Sequence, residues 1–425
     1  MSIFSQLPGA VCRALAALAI VVSGAAARGE ESATALVARL GADDYRTREE
    51  AHRKLSAMGA AAAPALKEAA KSADVEKRLR AEALLRDLRR ADLWAPSYVQ
   101  WEARDYEVKE AFSALAKQSG NPIDWNRTSQ SFGQEVTLDG VRRTYWNALD
   151  EICRQANVAV QFYDDPGGAG CVLHRGSPGK YPMAFAGPVR MRLQSIRRSE
   201  QNEIHFGDAA ADNQRSLTVA LQIHWEQRAA LCRYGSRQRL LEATTDAGEN
   251  LLPPQQRRYR ESMMQLSRRT REILYTQTLT APTQAATKIA RLRFAVEMEI
   301  AGDFATLKTS LGKPGPAAES EGYRVQVESI RTDNMLTYAT VLLQRPEALD
   351  SPSNSPELVD ENFQAKAGGK TLRLEMGQQF GGRVQCRYVF QFREPPPADA
   401  ELLVSVPRLR SRRFAEFAFK DVPLP

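Results

Sequence analysis

The segment LRFAVEMEI, residues 292–300, places a large apolar side chain at every second position. Successive strand residues point to opposite faces, so this period of two predicts a strand with one buried and one solvated face. Leu292, Phe294, Val296, Met298 and Ile300 make up the apolar face. Charged residues dominate the other face, which is typical of an antiparallel sheet.

The same alternation recurs on both sides of this segment. It is found at residues 217–225 and 384–392, and in a shorter form at 372–376. Many alternating strands separated by turns are typical of β-sandwiches. Two antiparallel β-sandwich domains are therefore predicted, at 185–282 and 288–425. With the helical segments described below, the predicted fold class is α+β multidomain: a helical repeat, a small αβ module and the two sandwiches.

An arginine-rich stretch separates the two predicted sandwiches. It contains Pro253-Pro254 and then six arginines, namely Arg257, Arg258, Arg260, Arg268, Arg269 and Arg271. One interpretation is a surface for an anionic envelope polymer or for lipid head groups. The preferred interpretation is a solvated linker, because Glu261 and Glu272 dilute the charge. A second loop, 350–361, is rich in Ser and Pro.

Residues 96–178 differ from the β-rich part, because strands and helices alternate there. YVQWEA at 98–103 and the segment 135–138 have strand patterns, and 108–120 and 144–156 have helical spacing. The two helices repeat at an offset of 37 residues, so that Phe112 matches Leu149, Gln118 matches Gln155 and Gly120 matches Asn157. Two further predicted strands, at 158–162 and 171–174, complete a small αβ module.

The order of these elements, with Ala-Phe-x-x-Leu-x-x-Gln-x-Gly in the first helix and Ala-Leu-x-x-Ile in the second, resembles a known domain family. It is similar to the short N-terminal (STN-type) domain of secretins and TonB-dependent receptors. The resemblance implies a periplasmic interaction module. It also suggests a role as an accessory to a secretin-like assembly. Nothing downstream has the pattern of an outer-membrane barrel or plug, so receptor and secretion functions do not follow.

Residues 32–90 have helical spacing and repeat at an offset of 30. Asp44 matches Asp74 as a helix N-cap, Ala51 matches Ala81, and Leu55 matches Leu85. This predicts four helices in two stacked hairpins. The pattern resembles short HEAT-like repeats, which are protein-interaction modules. A plain helical spacer is the alternative, and two repeats are fewer than a free-standing solenoid needs.

The first 27 residues have the layout of a secretory signal peptide. Arg13 precedes the apolar run 14–22, and Ala25-Ala26-Ala27 follows it. Cleavage is predicted after Ala27, and the run is too short to span a bilayer comfortably. No later segment is apolar enough to do so. We therefore expect an exported chain, periplasmic or extracellular, without a transmembrane segment in its mature form.

Four cysteines follow the signal peptide, and their exported context permits disulfides. Cys153 is predicted to pair with Cys171, because both fall within the small αβ module. Cys386 lies on an apolar strand face and is predicted to be a buried free thiol. The formal charge of the whole chain is +7. That charge is too diffuse to indicate nucleic-acid binding, and export argues against it.

The motifs of common catalytic and metal sites do not occur. The four histidines, His52, His174, His205 and His224, are far apart, and His224 is predicted to face solvent. Gly368-Gly369-Lys370-Thr371 ends like a phosphate-binding loop but lacks the first glycine, so a hairpin turn is predicted. Neighbouring carboxylates such as Asp43-Asp44 are explained by helix capping. No catalytic residue, cofactor or metal site is assigned.

These observations predict a non-catalytic binding or scaffolding protein of the periplasm or cell envelope. Its expected contact is a protein partner, through the αβ module or the helical repeat. The predicted alternatives are a hydrolase of envelope polymers with a site between the β domains, and the secretin-like accessory.

Overall fold

The computed structural model describes residues 31–124, 133–162, 171–204, 211–253, 263–266, 270–283, 285–320, 322–333, 336–345, 362–381 and 384–425; for 201–204 and 211–214 it describes the backbone alone. The predicted signal peptide, most of the arginine-rich stretch, the 350–361 loop and His205 lie outside these ranges. The chain divides into two compact units, Met1–Ala91 and Asp92–Pro425.

The first unit is helical. Its elements are α1 (Ala33–Arg39), α2 (Tyr45–Met58), a short 3-10 turn (Gly59–Ala62), α3 (Ala63–Ala69) and α4 (Val75–Asp92). The predicted caps form, because Asp44 accepts the N–H of Thr47 and Asp74 accepts that of Lys77. Ala51, Leu55 and Ala81 are fully buried in one cluster. Two arginine contacts recur 30 residues apart: Arg48 donates to the carbonyl of Ala42, and Arg78 to that of Ser72.

The second unit begins with the αβ module. Its elements are β1 (Tyr98–Val99), β2 (Arg104–Glu107), α5 (Val108–Ser119), β3 (Glu135–Leu138), β4 (Arg143–Thr144), α6 (Tyr145–Ala156), β5 (Val158–Phe162) and β6 (Cys171–Arg175). The helices lie 37 residues apart, as predicted. They end at Gly120 and Asn157, both in the left-handed region with φ of 71° and 48°. The predicted strand 98–103 is shorter in the structure, since only Tyr98–Val99 pairs there.

Strand pairing in the module joins its two halves symmetrically. β1 pairs antiparallel with β4, and β2 pairs antiparallel with β3. Tyr98 lies opposite Thr144, and 37 residues on, Glu135 lies opposite Glu107. The first strand of each half therefore pairs with the second strand of the other half. α5 and α6 contribute to a single buried cluster that includes Phe112, Leu115, Leu149 and Ile152.

The remainder of the second unit is mostly β. β7 (Met183–Ala186), β8 (Val189–Ile204), β9 (Ala211–Trp225) and β13 (Glu272–Thr280) form a four-stranded sheet in the order β13-β9-β8-β7. A seven-stranded sheet has the order β12-β10-β14-β22-β18-β19, with β11 also paired to β14. Its strands are β10 (Ala230–Gly235), β11 (Arg239–Thr245), β12 (Met263–Gln265), β14 (Lys288–Ser310), β18 (Phe363–Ala367), β19 (Lys370–Leu372) and β22 (Glu401–Pro423).

A five-stranded sheet completes the unit, in the order β15-β16-β17-β21-β20. Its strands are β15 (Ala318–Ser320), β16 (Tyr323–Asp333), β17 (Leu336–Gln344), β20 (Glu375–Gly381) and β21 (Gln385–Phe392). The described part of the chain is thus β-rich with some helix and several sheets, and its strand pairs are antiparallel, as the alternation predicts. None of its helices has the length and apolar character of a bilayer-spanning segment.

The two long strands β14 and β22 contribute to two separate cores. One half of each packs with the four-stranded sheet, and the other half packs with the five-stranded sheet. Phe294 and Phe417 belong to the first core, whereas Leu307 and Val404 belong to the second. Strands from the 288–425 segment thus help to build both cores. The division of the β-rich part at 282/288 remains a prediction.

Candidate functional site

The αβ module closes part of its own sheet edge with two glutamine side chains. The Gln118 amide accepts the backbone N–H of Gln100 at 2.9 Å and donates to its carbonyl at 2.9 Å. The Gln155 amide does the same for Thr137, at 2.9 and 3.0 Å. A side-chain amide thus takes the place of a neighbouring strand at each position. Strand addition at Gln100, which the predicted edge strand 98–103 suggests, is blocked there.

Beside this closed edge lies an exposed patch, defined here as Tyr98, Val141 and Arg142. Tyr98 is 47% exposed and Val141 54% exposed. The Arg142 guanidinium lies 4.2 Å from the centroid of the Tyr98 ring. Aromatic residues and arginine are enriched at protein interfaces, where they supply contact area together with a polar edge. The patch therefore has the composition of a protein-contact surface.

The loop that carries Val141 and Arg142 is held in place by Asp139. Its carboxylate accepts the backbone N–H of Val141 at 3.1 Å and a guanidinium N–H of Arg143 at 2.6 Å. These bonds, chiefly the one from Arg143, lower the pKa of Asp139 well below its ordinary value. The Gln100 side chain also donates to the carbonyl of Gly140 at 3.0 Å. A patch fixed in this way loses little conformational freedom on binding.

The other side of the module packs on the four-stranded sheet, through a contact we call the seam. The Trp146 indole donates to the carbonyl of Pro188 at 3.0 Å. Arg190, 3% exposed, donates to Asp150 at 2.8 Å and lies 4.2 Å from the Trp146 ring centroid. Burial raises the pKa of Asp150, although Arg190 opposes that shift. These contacts join α6 to β8.

His224 lies in this seam and not in solvent, so the prediction for it is wrong. It is 2% exposed, and its ring lies 4.6 Å from that of Phe162. The alternation correctly places His224 on the face opposite Ile223 and Trp225. That face is dry because the αβ module covers it. Phe162, which lies over His224, is more than 60 positions away in sequence. Local alternation does not report such a contact.

A second polar contact, near the start of the module, completes the seam. Glu226 is fully buried, and its carboxylate accepts the backbone N–H of Ser97 at 3.0 Å as well as the Ser97 hydroxyl. Arg228 Nε donates to the same carboxylate at 2.9 Å. The backbone N–H of Arg228 donates to the Asn121 side chain at 3.1 Å. A buried carboxylate is tolerated when it is paired and hydrogen-bonded in this way.

A cleft of about 480 Å³ lies beside the five-stranded sheet. Leu336, Leu372 and Phe392 supply apolar lining. Glu375 and Glu394 also line it, and Glu375 is ion-paired with Arg373 at 2.7 Å. The volume falls in the range of small-ligand pockets. A hydrolase would need a cleft of this kind, although this cleft does not lie between the two cores.

The residues that the sequence singled out for other chemistry are not brought together. Among the described side chains, no group of three or more His, Cys, Asp or Glu is placed to hold a metal ion. Ala367 and Lys370 pair across the β18–β19 hairpin, and the two glycines between them have φ of 51° and 77°. This confirms the predicted turn, whose left-handed backbone suits glycine.

The cysteines are all free in the described structure. Cys153 and Cys171 belong to one buried cluster, yet they are separate thiols, so the predicted disulfide is wrong. Burial raises the pKa of Cys171 to about 12. Cys386 is 5% exposed and unpaired with another cysteine, which confirms the prediction of a buried thiol.

Comparison of the chain with protein-family models, with characterised proteins and with solved structures finds no match. The HEAT-like and STN-type resemblances therefore stay predictions.

Proposed function

We propose that the chain is an exported, non-catalytic binding or scaffolding protein of the periplasm or cell envelope, in which the αβ module contacts a protein partner. The patch of Tyr98, Val141 and Arg142 is the observation that carries this proposal. It combines exposed apolar area, an arginine stacked on an aromatic ring and a loop fixed by Asp139. Those are the properties of a pre-organised contact surface.

Within this proposal each part of the chain has a role. Residues 1–27 direct export, and 32–90 form a HEAT-like repeat that offers a second protein contact. Residues 96–178 form the STN-like interaction module. The β-rich segments 185–282 and 288–425 support the module as two sandwich cores that share β14 and β22. The recurrence of the Arg48 and Arg78 contacts at an offset of 30 supports the repeat.

The test is photo-crosslinking in cells that export the protein. A photoreactive side chain at Val141 is expected to give a discrete heavier adduct with a partner. The matched control places the same group at Lys308, whose side chain is 60% exposed on β14, outside the αβ module. Tyr98→Ala in the Val141 background should lower the adduct yield several-fold. Crosslinks from Val141 that are only intramolecular contradict the proposal.

The cleft beside the five-stranded sheet favours a second candidate, the hydrolase of envelope polymers. Its lining includes the carboxylates of Glu375 and Glu394, the side-chain type that acid–base hydrolysis uses. Incubation of purified cell-wall polymer with the protein, with Glu394→Gln and with Glu375→Gln distinguishes the two functions. Release of soluble fragments by the unsubstituted chain, and its loss in either variant, would establish the hydrolase. No release by the unsubstituted chain removes this candidate.

A further inference from the structure

The seam contains a row of charged and titratable side chains on neighbouring strands. Arg190 on β8 lies directly opposite His224 on β9, and His224 lies directly opposite Glu272 on β13. Arg190 and His224 are buried, whereas Glu272 is 40% exposed in its side chain. The row therefore runs from the dry centre of the seam to its solvated margin.

A positive charge on His224 would have few compensating groups at this place. Its Nδ1 has no hydrogen-bond partner in the described structure, and its Nε2 lies 3.6 Å from the Glu272 carboxylate. Phe162 of the module covers its ring. An imidazolium buried here would have only the partly exposed Glu272 carboxylate beside it and little water, which favours the neutral ring in the closed seam.

Charged groups on three elements lie around His224. Arg190 and Arg192 come from β8, Glu272 from β13 and Asp150 from α6; β5 offers the uncharged Phe162. Burial lowers the pKa of His224 from 6.5 to about 4; Glu272 opposes this shift, and both arginines add to it. The cations around His224 thus reinforce the effect of burial.

We propose that the seam is an acid-sensitive latch, which holds the αβ module on the four-stranded sheet when His224 is neutral and loosens when His224 is protonated. The module carries the proposed partner patch, so the latch would couple the environment to how that patch is presented. The contacts of the seam all lie within this chain, so the latch can be tested on the isolated chain without a partner.

The direction of the pH effect follows from proton linkage. Release of the module raises the His224 pKa toward 6.5, so release takes up a proton between pH 6.5 and about 4. Docking is fully favoured above that window, and each pH unit of acidification within it shifts the equilibrium toward release by up to about tenfold.

The two carboxylates act in opposite senses. Burial raises the pKa of Asp150 above its ordinary value, so protonation of Asp150 favours the docked state. The His224 imidazole lowers the pKa of Glu272, with Gln222 adding to it, so protonation of Glu272 favours release below about pH 4.5. Between pH 6.5 and 4.5, protonation of His224 therefore favours release, and protonation of Asp150 opposes it.

Two backbone amides report directly on the seam, because each donates across it. The Ser97 N–H donates to Glu226, and the Arg228 N–H donates to Asn121. Residue-resolved hydrogen exchange on the full chain, corrected for intrinsic exchange, measures their protection from pH 7.5 to 4.5. We expect protection at both amides to fall by up to about tenfold per pH unit below pH 6.5. The Tyr145 N–H, which donates within the module to Ser97, should not follow.

His224→Phe keeps an aromatic ring against Phe162 and removes the titrating group. Protection at Ser97 and Arg228 should then no longer fall as the pH is lowered from 6.5 to 5. His174→Gln, on the exposed end of β6, is the matched control and should retain the unsubstituted pH profile. Equal pH dependence in the unsubstituted chain and in His224→Phe overturns the latch.

A measurement without substitution keeps the test decisive if His224→Phe fails to fold. Carbon-13 labelling of the histidine rings allows each to be titrated by NMR in the full chain. His224 is expected to titrate near pH 4. An imidazole at 224 that titrates at 6.5 while both reporter amides stay protected overturns the latch.

Discussion

The Gln118 side chain occupies both backbone hydrogen-bonding groups of Gln100, and the same relationship recurs 37 residues later between Gln155 and Thr137. Two further contacts obey the same symmetry: Tyr145 N–H donates to Ser97, and Val108 N–H donates to Gln134. The module therefore consists of two equivalent halves whose strands are exchanged. Its glutamines act as fixed substitutes for a neighbouring strand, which protects an edge from unwanted pairing.

Gln118→Ala is expected to destabilise the chain by about 1–2 kcal/mol, because it removes two hydrogen bonds of ordinary net strength. It also exposes the backbone of Gln100, so self-association at high concentration should increase. Urea denaturation and sedimentation velocity measure the two effects. Ser113→Ala on the exposed face of the same helix is the control. Full stability and unchanged sedimentation of Gln118→Ala would show that the amide contact is incidental.

Leu149→Ala tests the core of the αβ module. Leu149 is fully buried between the helices and the short strands, so truncation should cost about 2–5 kcal/mol of unfolding free energy. Val141→Ala, at a position that is 54% exposed, should change stability by less than about 0.5 kcal/mol. Chemical denaturation of both variants gives the comparison. Equal effects at the two positions contradict the assignment of Leu149 to the core.

The thiols give a prediction that separates this structure from a disulfide-bonded one. Cys153 and Cys171 are buried, and burial raises the pKa of both. Because the thiolate is the reactive form, alkylation of the native chain at pH 8 should be slow at both positions. Denaturation without reductant should make both react fully. A peptide pair linked through Cys153 and Cys171 after non-reducing digestion contradicts free thiols.

Sequence reasoning reached the local features of this chain and missed those formed by distant residues. The 37-residue repeat and the left-handed ends at Gly120 and Asn157 follow from side-chain types at fixed spacing. The face of His224 is also predicted correctly, but whether that face is wet depends on Phe162 and the rest of the module. The Ser97–Glu226 contact joins residues 129 positions apart, and no local pattern marks either of them.

The exchanged strands illustrate the same limit. The offset of 37 indicates two similar halves, and it is equally compatible with halves that pair internally. Which strand pairs with which depends on how α5 and α6 pack into one core. The glutamine contacts are recognisable only in retrospect, from a Gln at the same place in each helix, two residues before its left-handed end.

Glu226→Ala is expected to be among the most damaging single substitutions in the seam. It removes the acceptor for the Ser97 N–H and hydroxyl and for Arg228 Nε, and it leaves these donors in a buried site. Loss of one partner from a buried charged pair costs about 3–5 kcal/mol, and the partial exposure of Arg228 reduces this to about 2–4 kcal/mol.

Ser97→Ala removes only a hydroxyl and should cost about 1 kcal/mol. Because the two residues contact each other, the double variant should be less destabilised than the sum of the single variants. Denaturation of the four chains forms the cycle. Strict additivity would show that the Ser97 hydroxyl and Glu226 are not coupled.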